Sequence, residues 1–250
     1  MPANALEVEG VGVRFGGLVA LKDVALEVPR GSLYGLIGPN GAGKSTLFNA
    51  ISGLVPISSG RIRLNGIDVT VRAAHTRARF GAQRTFQSVQ LIRAMTVLEN
   101  VLTGLHASGW TIRQGARRHA SDIERASAMS EALGLADCLY RTVDTLTFRQ
   151  QRYVEIARAL VSEPQLVMLD EPAAGLSTLE VEELGDVLLR IQARQGFAVI
   201  LVEHVIALVT RVCARITVLE NGSVLASGTG SDVMADPEVV RAYLGEGVHA

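Results

Sequence analysis

The chain has 250 residues, of which 48% are hydrophobic, and its formal net charge is −1 because 24 Lys and Arg face 25 Asp and Glu. This composition excludes an intrinsically disordered chain, and the balanced charge gives no support for nucleic-acid binding. The sequence starts without a signal-peptide pattern and has no apolar run long enough to cross a bilayer, so we expect a cytoplasmic protein. We expect its two cysteines, Cys138 and Cys213, to be buried, reduced thiols.

Residues 1–66 predict strands and one helix. Apolar residues alternate with others through residues 1–30, which predicts two antiparallel strands joined at Gly16-Gly17. Leu33–Ile37 is predicted to be a short strand, followed by a glycine-rich loop and a helix that ends at about Ser52. Apolar residues before Asn65-Gly66 predict another hairpin strand, since this dipeptide favours a tight turn.

Residues 88–162 are predicted to be helical. Thr96 and Glu99 fit a capping box, which should start a helix. Further helices are predicted at about 122–133 and 150–161. Residues 108–120 contain basic side chains without periodicity, so we expect a solvated loop there.

Strand character returns after residue 162. The continuous apolar runs 166–169 and Ala198–Val202 predict parallel strands buried on both faces, and a helix at Thr178–Gln195 completes a βαβ unit. A closing hairpin is predicted at 216–226, with its turn at Asn221-Gly222.

We therefore predict an α/β fold in a single domain, residues 1–250. A core with an N-terminal antiparallel β subdomain takes residues 1–87 and 163–250. An inserted helical subdomain takes residues 88–162.

The loop after the third predicted strand fits the phosphate-binding motif G-x-x-x-x-G-K-[ST] in the strand–loop–helix context that the motif requires. Its backbone amides and the following helix N-terminus can hold an anion. Lys44 would reach the outer phosphates of ATP, and Ser45 would bind Mg²⁺. We favour this reading over a chance glycine-rich turn because the chain has only one other lysine, Lys22. The predicted ATP-binding residues of the loop are Gly38, Pro39, Asn40, Gly41, Ala42, Gly43, Lys44, Ser45 and Thr46.

Two predicted strands end in polar side chains at the same edge of the sheet. Asp170 could hold Mg²⁺ and Glu171 could act as general base on water, although a strand that merely ends at a solvated loop would look similar. His204 follows the next strand, where we predict a contact with the γ-phosphate rather than a structural role.

With these motifs in order, residues 6–246 resemble the ATP-binding subunits of ABC transporters. The resemblance implies the ABC ATPase fold of the P-loop NTPase class, ATP and Mg²⁺ as cofactors, and closure of a subunit dimer on ATP. Phe15 matches the aromatic residue that stacks on adenine, with a core strand residue as the alternative. Gln87 matches the hinge glutamine that senses Mg²⁺ and the membrane partner.

Within this family, the sequences of segments 95–101, 154–160, 170–176 and 241–246 resemble those of the branched-chain amino acid importers. Urea and short-amide importers and the lipopolysaccharide-export ATPase are near relatives, so these substrates stay open. The resemblance implies permease subunits, a second ATPase subunit and, indirectly, an extracytoplasmic binding protein as partners. It places the chain on the inner face of the plasma membrane. Candidate permease contacts, with core packing as their alternative, are Val89, Leu91, Ile92 and Met95.

The sequence departs from the family pattern in two places. The signature segment is Leu146 followed by Thr147, Phe148, Arg149 and Gln150, where Arg149 replaces a glycine. In the family this segment clasps the γ-phosphate bound to the opposite subunit, and a glycine allows close backbone approach. Arginine adds bulk there, or could add charge to the phosphate. In addition, Ser177-Thr178 stand where Asp or Asn, often followed by Pro, is usual.

Arg149 would perturb the partner's ATP site, so we predict a heterodimer rather than a homodimer. Two other functions are alternatives. A regulatory nucleotide-binding subunit with weak turnover is motivated by Arg149. ABC-type ATPases of DNA repair carry coiled-coil insertions, and no sustained heptads separate Lys44 from Asp170.

Overall fold

The computed structural model describes residues 3–85, 90–106 and 116–244. The strands are β1 (Asn4–Phe15), β2 (Leu18–Pro29), β3 (Leu33–Ile37), β4 (Ser59–Leu64), β5 (Ile67–Asp68), β6 (Ala82–Arg84), β7 (Leu166–Asp170), β8 (Ala198–Val202), β9 (Arg215–Glu220) and β10 (Ser223–Gly228). The helices are α1 (Lys44–Ser52), α2 (Ala74–Arg79), α3 (Val97–His106), α4 (Ala116–Ala132), α5 (Phe148–Leu160), α6 (Thr178–Gln195), α7 (Ile206–Val212), α8 (Gly230–Ala235) and α9 (Pro237–Leu244).

The strands form two sheets. The first is antiparallel in the order β2-β1-β4-β5, and the second has the order β10-β9-β3-β8-β7-β6. In the second sheet β9, β3, β8, β7 and β6 run parallel, and β10 closes it as an antiparallel hairpin. The carboxyl ends of β3, β7 and β8 therefore lie along one edge, where a ligand site is expected in such sheets.

Strands β3, β7 and β8 are buried on both faces, as their continuous apolar runs predict. Successive residues of β7 alternate between two hydrophobic clusters: Val167 and Leu169 pack with the helices, while Leu166 and Met168 pack with α1 and the antiparallel sheet. The sheet thus holds its strand-end loops between two packed layers.

The helical part is built on α3, which packs against α4 and α5. Its start is the predicted capping box, in which Thr96 N donates to Glu99 Oε2 at 2.8 Å and Glu99 N donates to Thr96 Oγ1 at 3.2 Å. Buried Asn100 exchanges hydrogen bonds with both backbone groups of Ile92, at 2.9 and 3.1 Å, and so fixes the segment that leads into α3.

Most predicted elements are present, with a few differences in bounds and in short elements. The α4 helix begins at Ala116, so the end of the predicted loop 108–120 is helical instead; residues 108–115 lie outside the described ranges. The α5 helix begins two residues before its predicted start because Thr147 and Gln150 form a capping box. Short α2, β6, α7, α8 and α9 were not predicted.

Two further predictions are confirmed. Asn65-Gly66 and Asn221-Gly222 turn their hairpins with positive φ at both residues, as type I′ turns require. Both cysteines are buried and free. In the described part of the chain, no helix is long and apolar enough to span a membrane.

Candidate functional site

The predicted phosphate loop lies between β3 and α1, at the carboxyl edge of the parallel sheet. Gly38 and Gly43 have φ values of 150° and 102°. A Cβ on Gly38 would lie 2.1 Å from the carbonyl oxygen of Leu219, and one on Gly43 would lie 2.8 Å from Cδ2 of Leu21. Both positions therefore require glycine, for conformation and for space.

Lys44, the first residue of α1, is 6% exposed. Its ammonium donates to the carbonyl oxygens of Gly38, at 2.5 Å, and Pro39, at 2.9 Å. The loop thus folds around its own cation, which lies where the backbone amides of the loop and the N-terminus of α1 could bind a phosphate group.

A cavity of 890 Å³ opens beside this loop. It brings together four features that the sequence predicts separately: residues 40–46, Phe15, Glu171 and His204. Phe15 ends β1 and is 49% exposed, so it is not a core residue and its ring is available to a ligand. Gly38 and Pro39 complete the loop but do not line the cavity.

Glu171 and His204 lie side by side where β7 and β8 end. Oε1 of Glu171 is 3.0 Å from Nε2 of His204. Glu171 has a φ of 48°, a strained conformation for a residue with a side chain, and its amide donates to the carbonyl of Val202 at 2.9 Å. The pair can hold a water molecule and accept a proton from it, which is general-base chemistry.

Asp170 ends β7, at the C-terminal end of a buried strand as the sequence predicts, and it is not among the residues that line the cavity. It is 5% exposed, and its Oδ2 accepts from Nη2 of Arg84 at 2.7 Å. Arg84 engages one carboxylate oxygen, so the other is the one that could reach a cation. The hydroxyl of Ser45 in the cavity and this carboxylate are oxygen donors, which Mg²⁺ prefers. The third predicted ligand, Gln87, lies outside the described residues.

The signature residues are not in this cavity. Thr147 caps α5 by accepting from the amide of Gln150 at 3.3 Å, and Gln150 Oε1 accepts from the amide of Thr147 at 3.0 Å. Phe148 is 46% exposed, and a Cβ on Gly175 would lie 2.9 Å from its ring. The signature therefore packs on the loop that follows Glu171 in the same chain.

Arg149 pairs with Glu183 of α6, and its guanidinium lies 5.7 Å from the centre of the Tyr153 ring. Its charge is thus engaged within the chain. The other departure also has a local function: Ser177 caps α6, because its amide donates to Glu180 Oε2 at 2.9 Å and its hydroxyl accepts from the amide of Glu180 at 3.4 Å.

The candidate permease contacts differ in exposure. Ile92 is 45% exposed, whereas Leu91 packs against the core of the helical part and Met95 is partly buried. Val89 lies outside the described residues. The segment is attached to α5 at Gln90, which donates its amide to Glu155 Oε1 at 2.8 Å and accepts at its carbonyl from Nη1 of Arg158 at 2.5 Å.

Sequence reasoning missed two residues of the site. Lys22 lines the cavity, and its amide donates to the carbonyl of Gly222 at 2.7 Å. Arg84 donates from Nη2 to Oδ2 of Asp170. The scarcity of lysine was a sequence signal that could have pointed to Lys22, because the chain has only two lysines and both line this cavity.

Comparison with known proteins gives consistent results. The family profile described as ABC transporter matches residues 21–174, and one described as Branched-chain amino acid ATP-binding cassette transporter matches residues 223–249. The high-affinity branched-chain amino acid transport ATP-binding protein LivG of Salmonella typhimurium is 39% identical over 98% of this chain and 100% of LivG. BraF of Pseudomonas aeruginosa, with the same description, is 38% identical over 98% of this chain and all of BraF.

Among solved structures, the ADP conformation of MJ1267, an ATP-binding cassette of an ABC transporter, has a TM-score of 0.87. It is 31% identical, and the match covers 98% of this chain and 100% of that chain. This likeness confirms the predicted α/β fold.

Proposed function

The chain belongs to the ABC transporter family as an ATP-hydrolysing subunit, and we propose that it energises the import of branched-chain amino acids through a membrane partner. One observation carries the ATPase part: the phosphate loop, Phe15, and the Glu171–His204 pair surround one cavity. The substrate part rests on near-full-length similarity to LivG and BraF and on the C-terminal profile match.

ATP occupies the 890 Å³ cavity. Its adenine stacks on the exposed ring of Phe15, and its phosphates lie against the amides of residues 40–46. The ammonium of Lys44 exchanges the carbonyls of Gly38 and Pro39 for the outer phosphates, because a charge-assisted bond to phosphate is stronger than one to a neutral carbonyl.

Hydrolysis uses the strand-end pair. Glu171 accepts a proton from the attacking water, and His204 holds the Glu171 carboxylate through its 3.0 Å contact and approaches the γ-phosphate. The amide of Glu171, donated to Val202, fixes the backbone from which the carboxylate projects.

Ser45, Asp170 and Gln87 would hold Mg²⁺, which would supply positive charge to neutralise the charge that develops on the phosphates. Arg84 keeps one oxygen of Asp170 occupied and so orients the carboxylate.

The transported solute is tested by uptake. Membrane vesicles that carry the chain with its permease should accumulate labelled leucine or isoleucine on addition of ATP, whereas labelled urea or a short amide should not accumulate. Uptake of urea instead would identify urea as the substrate. Release of lipopolysaccharide, without uptake of either solute, would indicate the lipopolysaccharide exporter.

The permease binds near residues 87–95, and in the described part of this segment, residues 90–95, Ile92 is exposed. This segment is attached to α5 through Gln90, Glu155 and Arg158, so a movement of the permease is passed to the signature residues at the start of α5. The chain is accordingly peripheral, at the cytoplasmic face of the plasma membrane. Cysteine cross-linking from position 92 to a permease loop tests the contact; efficient cross-links only from residues 108–120 would move it elsewhere.

The chain pairs with a second, different ATPase subunit. Each ATP is enclosed between one subunit's phosphate loop and the other's signature, so Arg149 faces the partner's nucleotide. Arg149 replaces a glycine and so adds bulk to the signature. Its guanidinium pairs with Glu183 of the same chain, so its positive charge is already engaged. Hydrolysis therefore takes place mainly at this chain's own phosphate loop, beneath the signature of the partner.

Single-site variants test this asymmetry. A Glu→Gln change at the catalytic base should stop turnover when made in this chain and reduce it little when made in the partner, and Arg149→Gly should raise turnover. Equal losses from both changes, with no gain from Arg149→Gly, would contradict the asymmetry. If phosphate release is absent with the permease present, a regulatory nucleotide-binding role replaces the transport ATPase.

A further inference from the structure

Glu203, which lies between β8 and His204, has a buried carboxylate that bonds two loops at once. The residue is 2% exposed. Its Oε1 accepts from the amide of Ala173 at 2.6 Å, and its Oε2 accepts from the amide of His204 at 3.1 Å. The backbone amide of Val205 also favours the charged form.

This arrangement is unusual for a buried acid. Burial raises the pKa of Glu203, and the amides of Ala173, His204 and Val205 oppose that rise. No ion pair to Glu203 is found among the described residues. A buried carboxylate without a cation is expensive unless its hydrogen bonds are satisfied, and here backbone amides satisfy it.

The two loops are those that carry the candidate base and its partner. Ala173 is two residues beyond Glu171, and His204 is the next residue after Glu203. The carboxylate therefore bridges the same two loops that the Glu171–His204 side-chain contact bridges. Glu171 has a φ of 48°, a strained conformation that the surrounding structure has to hold, and its amide donates to the carbonyl of Val202. The hydrogen bond from Ala173 to Glu203 is a further link between the same two loops.

We infer that Glu203 is a positioning residue that sets the distance between the Glu171 carboxylate and the His204 ring. The inference rests on the proposed function, because the contact matters for turnover only if Glu171 takes a proton from water. Glu203 does not line the cavity, so it acts on the rate of hydrolysis and not on the binding of ATP.

The test compares Glu203→Gln with the parent chain at saturating MgATP. Glutamine keeps the size and one acceptor oxygen, but its NH₂ group faces a backbone amide, so one of the two loops is released. Misplacement of a catalytic group on the scale of 1 Å can reduce the rate roughly 100-fold, so we expect turnover to fall about 10- to 100-fold. The dissociation constant of MgATP should stay within about threefold, as expected when only the rate is affected.

Glu220→Gln is the matched control. Glu220 ends β9, which β3 separates from β8 in the sheet, and it is not among the cavity-lining residues. The variant carries the same chemical change, so its turnover should equal that of the parent. Turnover of Glu203→Gln equal to that of the control would overturn the inference.

A double-mutant cycle separates positioning from a general structural effect. If Glu203 acts through His204, then Glu203→Gln made on top of His204→Ala should change turnover less than threefold, as coupled residues are non-additive. An undiminished effect in the His204→Ala background would contradict the inference. A parent chain that binds but never hydrolyses ATP would refute the proposed function itself.

Hydrogen exchange on the unmodified chain provides a check that needs no variant. The amides of Ala173 and His204 should both exchange slowly, because both donate to a buried carboxylate. Exchange at the rate of an exposed loop amide would show that the bridge does not form.

Discussion

The guanidinium of Arg84 and the carboxylate of Asp170 form an ion pair of 2.7 Å in which the two side chains are 11% and 7% exposed. Arg84 also donates to Asn49 Oδ1 at 2.7 Å and to Ser52 Oγ at 3.1 Å. Its guanidinium lies 5.4 Å from the centre of the Phe48 ring. One side chain at the end of β6 therefore links the end of β7 to α1, the helix that begins with Lys44.

Arg84→Met should destabilise the fold, because it leaves the Asp170 carboxylate buried without its cation. Breaking such a pair costs about 3 kcal/mol or more, and we expect a loss of that size in the free energy of unfolding measured with urea. The control is Arg61→Met, whose ion pair with Asp68 is half exposed on both sides, so its loss should lower the free energy of unfolding much less. Equal losses of unfolding free energy from the two variants would mean that the buried Arg84–Asp170 pair stabilises the fold no more than the exposed pair does.

Lys44→Ala should abolish MgATP binding or weaken it severely. Lys44 is the only cationic side chain of the phosphate loop, and its removal leaves concentrated phosphate charge without that partner. Isothermal titration of the variant and the parent at matched ionic strength measures the effect. An unchanged affinity would remove Lys44 from the site.

Glu171→Gln should bind MgATP and fail to hydrolyse it. The amide keeps the shape of the side chain but cannot accept a proton from water, so the ATP-bound dimer should accumulate and be detected by size-exclusion chromatography. Phosphate release gives the turnover. Hydrolysis within about tenfold of the parent would show that another group is the base.

Lys22→Met should weaken MgATP binding moderately, because Lys22 is the second cation at the cavity and is exposed to solvent. An exposed charge contributes little, so we expect a dissociation constant roughly two- to fivefold higher. Lys22→Arg should retain most of the affinity, whereas Arg14→Met, on β1 and outside the cavity lining, should leave it unchanged. Equal binding by Lys22→Met and Arg14→Met would rule out a contact between Lys22 and the nucleotide.

Neither cysteine should react with thiol reagents in the native protein near pH 8. Burial raises the pKa of Cys213 to about 12 and also raises that of Cys138. The thiolate is the nucleophile, and at pH 8 a pKa near 12 leaves roughly one thiolate in 10⁴. Titration with a coloured disulfide reagent should detect two thiols only after denaturant is added. A fast-reacting thiol in the folded chain would contradict the described burial.

Sequence patterns predicted the elements whose limits are marked by local chemistry. The bounds of α6 were predicted correctly because Ser177 and Glu180 cap its start and Gly196 ends it in the left-handed conformation. By contrast, β6 is three residues long and is a strand because it pairs with β7, which no local pattern reveals. Likewise α4 begins in a basic stretch without apolar periodicity.

The residues of the candidate site also fall into two groups, those that the sequence predicted and those that only the structure reveals. Lys44, in a motif, and Glu171, at a strand end, were predicted and are brought to one cavity because parallel strands end at one edge. Phe15, which the family resemblance predicted, reaches the same cavity from the end of β1 in the antiparallel sheet. Arg84 and Glu203 belong to no motif, and their partners are distant along the chain or are backbone amides. Their contributions depend on the packed structure, so only the structure reveals them.

The placement of Lys22 and Lys44 also has a use in labelling experiments. These are the only two lysines, and both line one cavity, so apart from the chain's own α-amino group an amine-reactive reagent can modify the protein only there. The exposed Lys22 should react first, while Lys44 is buried against loop carbonyls. A general acylating reagent, followed by mass spectrometry, thus becomes a direct reporter of whether the cavity is filled, and no engineered tag or introduced cysteine is needed.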